Sequence, residues 1–115
     1  MPRRRSHFGK IPGFVIVWEF RIRTPRRRMF ERAYGPDGEW AKFFRTGKGF
    51  LGTELIRDED DANRYLTLDF WKSRKDYERF KRQNQEMYQL IDQRCESLTT
   101  QESEIGQFSR QAPKE

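Results

Sequence analysis

The stretch Arg64 to Phe80 (RYLTLDFWKSRKDYERF) constrains the chain more than any other, because its periodicity changes once and abruptly. Leu66, Leu68 and Phe70 alternate with Tyr65, Thr67, Asp69 and Trp71, a period of two that predicts a strand with two distinct faces. Ser73 ends the alternation. Three residues on, Asp76 completes a helix start: the Ser73 oxygen can accept a free backbone N–H, and a carboxylate suits the positive end of the helix dipole. From Tyr77 the spacing becomes helical, so a strand runs directly into a long helix with Trp71 at the junction.

The remaining segments arrange themselves around that unit. Gly13 to Arg23 reads as a first strand, with Phe14, Ile16, Trp18, Phe20 and Ile22 on one face. Val15 and Val17 make the start of its other face apolar too, so both sides of the sheet need cover there. Thr24-Pro25 predicts a helix start, with Thr24 as N-cap, and Met29, Phe30, Ala33 and Tyr34 as its apolar stripe. Gly35-Pro36-Asp37-Gly38 breaks it, and a short second helix carries Trp40, Phe43 and Phe44. Phe50 to Arg57 forms a second strand, joined to the third by the acidic turn Asp58-Glu59-Asp60-Asp61. That turn lacks the glycine and spacing of a calcium loop and reads as a solvated tip.

The long helix is expected from about Arg74 to about Cys95, with Tyr77, Phe80, Asn84, Met87, Tyr88, Ile91 and Cys95 on one stripe. Asn84 stands out there, since a buried amide needs a ligand or a backbone group as partner. Glu102 to Phe108 reads as a fourth strand. The order strand, broken helix, strand, strand, helix, strand is that of an α+β, ferredoxin-like βαββαβ fold with one antiparallel sheet. Its helices cover only one sheet face. The apolar residues left on the other predict a homodimer that packs sheet on sheet.

Charge is distributed unevenly. The chain of 115 residues has a net charge of +6, but residues 1–12 contribute +4 and residues 110–115 contribute +1. Residues 1–12 are therefore expected to be a basic arm, 13–109 a nearly neutral folded domain, and 110–115 a polar tail. Nucleic-acid binding would rest on the arm's composition alone, and the reading is against it. The arginine triplet Arg26, Arg27 and Arg28 admits a phosphate or carboxylate site, but a solvated face is the simpler reading. No apolar run reaches membrane-spanning length, and a lone Cys95 excludes an intramolecular disulfide; both fit a cytoplasmic protein. No metal-ligand constellation and no glycine-rich phosphate loop is visible.

The residues Phe30…Tyr34-Gly35…Gly38-Glu39-Trp40…Phe44, then Gly49-Phe50-Leu51-Gly52-Thr53-Glu54-Leu55, then Arg64-Tyr65-Leu66-Thr67…Phe70-Trp71-Lys72-Ser73, resemble the antibiotic biosynthesis monooxygenase family. The resemblance covers about residues 13–108 and implies a dimeric α/β barrel. It also implies an oxygenase without a cofactor, in which an electron-rich phenol, once deprotonated, supplies its own electrons to oxygen. Such an enzyme must enclose a flat aromatic molecule, hold a base near its hydroxyl and keep water out. The resemblance puts a functional tryptophan at Trp71, and Glu19 and Asp69 are the candidate carboxylates. Phe30, Tyr34, Trp40, Phe43, Phe80 and Tyr88, with Asn84, are candidates to line the pocket; the competing reading of the aromatics is plain core packing.

The haem-degrading branch of the family resembles this chain at Trp71-Lys72-Ser73. It uses a histidine on the long helix, and none lies between Arg74 and Cys95; it also uses a first-strand asparagine where this chain has Glu19. Tyr77 or Tyr88 could in principle ligate ferric iron. Two functions stay open: a monooxygenase acting on an aromatic, quinol-like small molecule, and a non-catalytic dimeric barrel that binds a small hydrophobic ligand.

Overall fold

The computed structural model describes residues 13–111, so the arm at 1–12 and the tail from 112 lie outside the described residues. β1 (Gly13–Ile22) is followed by a 3-10 turn (Thr24–Arg26), α1 (Arg27–Tyr34) and α2 (Glu39–Phe44). β2 (Phe50–Arg57) and β3 (Arg64–Trp71) form a hairpin. α3 (Arg74–Gln83), α4 (Gln85–Cys95), a second 3-10 turn (Glu96–Leu98) and β4 (Thr99–Arg110) complete the chain. The strands make one sheet in the order β2-β3-β1-β4, with every neighbouring pair antiparallel. This is the α+β ferredoxin-like arrangement that the order of elements predicts.

The alternation within β3 assigns the two faces. Tyr65, Thr67 and Trp71 are buried beneath the helices, while Leu66 and Leu68 lie on the other face. In antiparallel register, directly opposed residues share a face. Trp18 opposes Thr67 and Thr53 opposes Asp69 on the helix side, whereas Val17 opposes Leu68 and Phe108 opposes Val15 on the outer side. Between helices and sheet the core is largely aromatic. Trp71 and Phe30 are completely buried, and Trp71 is surrounded by the rings of Phe44, Phe50, Tyr77 and Phe80 at centroid distances of 5.9, 5.1, 5.7 and 5.4 Å.

The Ser73 N-cap forms as its spacing dictates: its Oγ accepts the Asp76 backbone N–H at 3.1 Å. Just before it, the Lys72 N–H donates to the Gly49 carbonyl at 2.7 Å, tying the strand–helix junction to the start of β2. Gly49 has φ +94°, a conformation that only glycine adopts without strain.

Three elements depart from the sequence expectation, each for a local reason. The long helix is two helices. At Asn84 the backbone leaves helical geometry (φ −132°, ψ 32°), and the side-chain Nδ2 donates to the Phe80 carbonyl at 2.9 Å, replacing the backbone bond that a continuous helix would make there. α4 restarts with the Tyr88 N–H donating to the Asn84 carbonyl at 3.0 Å. Thr24 does not cap α1: its hydroxyl is engaged with the Asn63 side chain, and the chain passes through a 3-10 turn first. β4 is longer than 102–108, because its pairing with β1 runs from Ile22↔Thr99 to Gly13↔Arg110. A bulge leaves Ile105 unpaired where Val17↔Gly106 gives way to Trp18↔Glu104.

The acidic hairpin tip is more tightly bound than a solvated turn. Asp61 pairs with Arg21 at 2.5 Å, and Arg64 bridges Glu19 at 2.5 Å and Asp58 at 3.0 Å. Among the described residues no helix is long and apolar enough to cross a membrane.

Candidate functional site

A cavity of about 50 Å³ lies between the helices and the inner face of the sheet. All four strands and every helix but α3 send a side chain to it. Trp18 and Phe20 are inward residues of β1; Thr53 of β2 and Thr67 and Asp69 of β3 are inward by the same two-residue alternation. Tyr34 comes from the last turn of α1, and Trp40 and Phe44 are one helical turn apart on α2. Tyr88 and Asp92 share a face of α4, and Glu102 comes from β4, opposite Phe20. Asp92 and Glu102 are solvent-exposed and also border a shallow surface depression, so the cavity reaches the surface between them.

Asp69 is the half-buried carboxyl of this site, facing inward from β3. Its Oδ1 accepts a hydrogen bond from the Thr53 hydroxyl at 2.6 Å across the strand pair. Removal from water raises its pKa to about 6, with the Thr53 hydrogen bond pulling the other way. Burial likewise pushes the Tyr34 and Tyr88 phenols up, and nearby carboxylates push in the same direction. Glu102 is raised by burial first, then by Asp92 and Glu96. The site therefore holds one carboxyl that changes protonation near neutral pH, set in an aromatic wall, a combination suited to accepting a proton.

The sequence candidates divide on this geometry. Asp69, Tyr34, Trp40 and Tyr88 meet at the cavity. Glu19 does not: it is an outward residue of β1, bound to Arg64 on the far side of the sheet. Its position in the strand, one residue away from the inward Trp18 and Phe20, dictates that. Trp71 is inward but lies deeper, fully buried among rings, with its Nε1 lacking a hydrogen-bond partner. Phe30, Phe43 and Phe80 belong to the core beside the cavity, where Phe43 packs edge-on to Phe80 at 4.7 Å. Asn84 serves the helix break described above. Among the described residues no three His, Cys, Asp or Glu side chains converge closely enough to hold a metal ion.

Trp18, Phe20, Phe44, Thr53, Thr67, Asp92 and Glu102 also line the cavity without having been named as site residues from the sequence. Trp18 and Phe20 lie on the apolar face read for the first strand, Phe44 is one helical turn from Trp40, Thr67 shares Asp69's strand parity and Asp92 lies four residues after Tyr88, so a local signal for these five was present, whereas Thr53 depends on cross-strand register. Glu102 depends on the register of β4, which its own sequence does not reveal.

A family model described as antibiotic biosynthesis monooxygenase matches residues 13–88. Among solved structures, a mutant of SnoaB, a cofactor-independent oxygenase from Streptomyces nogalater, superposes with a TM-score of 0.65 at 20% identity, covering 88% of this chain and 95% of SnoaB. PA3566 from Pseudomonas aeruginosa gives a TM-score of 0.61 at 18% identity, covering 93% of this chain and 100% of that one. Rv0793 from Mycobacterium tuberculosis gives 0.60 at 14% identity, covering 90% and 97%. At these identities the likeness speaks for the fold. No curated protein sequence matches the chain.

Proposed function

The chain belongs to the antibiotic biosynthesis monooxygenase family, and on that premise we propose that it oxidises an electron-rich aromatic, quinol-like molecule with molecular oxygen and without a cofactor. The observation that carries the reading is Asp69, a carboxyl with a pKa of about 6 in an aromatic cavity, accepting a hydrogen bond from Thr53. Its role is general base. Asp69 takes the proton of a substrate hydroxyl, and the electron-rich ring then delivers electrons to oxygen. One oxygen atom becomes the new carbonyl, the other leaves as water, and a ring CH2 or its enol tautomer supplies the four electrons. Excluding bulk water keeps the deprotonated ring from side reactions.

Space sets a condition on this reading. A cavity that accepts benzene is about 150 Å³, so any aromatic substrate, a single ring included, requires the site of about 50 Å³ to widen. α4 is the element suited to move, since it carries Tyr88 and Asp92 and begins at the helix break at Asn84. Trp71 acts on this proposal as a positioning residue, packed at 5.9 Å against the ring of Phe44, which lines the cavity.

The small volume also favours a second reading, a non-catalytic barrel that binds a compact hydrophobic ligand. Oxygen uptake with a dihydroxynaphthalene or an anthrone separates the two. The oxygenase reading expects uptake that rises with pH through about 6 and is lost in Asp69→Asn. Ligand-induced quenching of tryptophan fluorescence with no oxygen uptake for either compound overturns it in favour of the second reading.

The same proposal includes a homodimer. Val17, Leu66, Leu68, Ile56 and Phe108 leave the outer sheet face apolar and, among the described residues, without helices over it, and a second copy offers the complementary surface.

A further inference from the structure

The cavity has a charge character opposite to that of the chain. The protein carries 24 Lys and Arg against 18 Asp and Glu, yet among the described residues no Lys, Arg or His lines the cavity, and Asp69, Asp92 and Glu102 all do. A fourth carboxylate, Glu104, follows on the inward parity of β4, opposite Trp18. The walls are Trp18, Trp40, Tyr34 and Tyr88, rings whose faces attract positive charge. One of them already does so: the ammonium of Lys81, which is not a lining residue, stands 5.2 Å from the centroid of Tyr88. Among the described residues the carboxylates do not converge closely enough for three of them to share a metal ion.

We propose that the cavity selects an aromatic molecule bearing a protonated amine, with the ring against Asp69 and the ammonium held between the aromatic walls and the carboxylates of Asp92 and Glu102. This rests on the reading of the cavity as the substrate site, its widening beyond about 50 Å³ included, and names the class of substrate it takes. In this arrangement Asp69 addresses the hydroxyl of the ring, and Asp92 and Glu102 act as specificity determinants at the surface opening. An anionic aromatic, such as a carboxylic acid, meets three carboxylates and, among the described residues, no lining cation, Lys81 standing behind the Tyr88 ring rather than on the wall. The preference has two sources: Coulomb attraction at the opening, which salt weakens, and cation–π contact inside, which salt affects little.

Three probes of nearly equal shape test it: benzylammonium, benzyl alcohol and benzoate, titrated against the full chain at pH 7.5 while tryptophan fluorescence is read. Trp18 and Trp40 both face the cavity and report occupancy. The expected order is benzylammonium tighter than benzyl alcohol by at least about tenfold, and benzoate weakest. The double variant Asp92→Asn, Glu102→Gln changes two exposed side chains by one atom each, so its fold is expected to survive, as near-ultraviolet circular dichroism checks; in it the tenfold gap shrinks to about threefold or less. Equal binding of the three probes, tighter binding of benzoate, a gap untouched by the double variant, or no binding at all each overturns the proposal. Binding is read independently of turnover. Benzylammonium preference in a protein that never consumes oxygen supports the selectivity and refutes the oxygenase reading. Oxygen consumption with neutral and anionic phenols alike does the reverse.

Discussion

Replacing Asp69 by asparagine is expected to make the protein more stable while abolishing turnover, and the gain has a pH dependence fixed by the structure. The carboxyl's pKa is 3.8 in the unfolded chain and about 6 in the fold. A raised acid binds its proton more tightly in the folded state, so folding stability falls as pH rises from below 3.8 to above 6, and the cost is fully present at higher pH. At about 1.4 kcal/mol per pKa unit, a shift of about two units costs roughly 3 kcal/mol. Asparagine is neutral at every pH, has the same shape, and its Oδ1 can still accept the Thr53 hydroxyl. Its advantage over the wild type should therefore grow from about 1 kcal/mol near pH 4.5 to about 3 kcal/mol near pH 7.5. Urea unfolding of both proteins at several pH values across that range measures it directly. An advantage that does not vary with pH, or a wild type that is the more stable at pH 7.5, would refute the reasoning that Asp69 is held, desolvated, at a pKa near 6. The same residue would then lose its claim to be the base.

Further outcomes follow from the packing. Trp71→Phe loses about 1 kcal/mol of packing but removes a buried, unpartnered N–H worth about 1–3 kcal/mol, so it should be as stable as the wild type or more stable by up to about 2 kcal/mol, whereas Trp71→Ala should lose about 4 kcal/mol. Ser73→Ala removes the cap of α3 and should lower the denaturation free energy by about 1 kcal/mol. Gly49→Ala puts a Cβ 2.2 Å from Asp76 Oδ2 at φ +94° and should cost at least about 2 kcal/mol by the same assay. Leu68→Lys, at the centre of the outer sheet face, should convert the proposed dimer to monomers in light scattering; a dimer of unchanged mass would put the interface elsewhere.

What could be read without coordinates rests on interactions between residues close in the chain. The period of two in β3 assigns Tyr65, Thr67, Asp69 and Trp71 to one face, because alternate side chains on a strand must point to opposite sides. The Ser73 cap is a bond between residues three apart, and the breaks at Gly35–Gly38 are turn chemistry; both are as the sequence implies. The order of such elements then leaves few topologies, and the ferredoxin-like one is found. Asn84 shows where local reading reaches its limit. Its place on the apolar stripe was correct for a continuous helix, but its amide competes with the backbone for the Phe80 carbonyl and ends that helix.

The site itself divides along the same line. That Asp69 faces inward, and that Glu19 is one residue out of step with Trp18 and Phe20, follows from parity within a single strand. That Thr53 reaches Asp69, that Glu102 closes the cavity opposite Phe20, and that Trp71 lies beneath the wall rather than on it depend on cross-strand register and on how deeply the helices seat. Those are contacts between residues 16 to 82 positions apart in the case of Thr53–Asp69 and Phe20–Glu102, and no local pattern encodes them. The elevated pKa of Asp69 belongs to the same class. A carboxylate in a strand is ordinary in water; only the layer of helices that removes the water brings its titration close to neutrality.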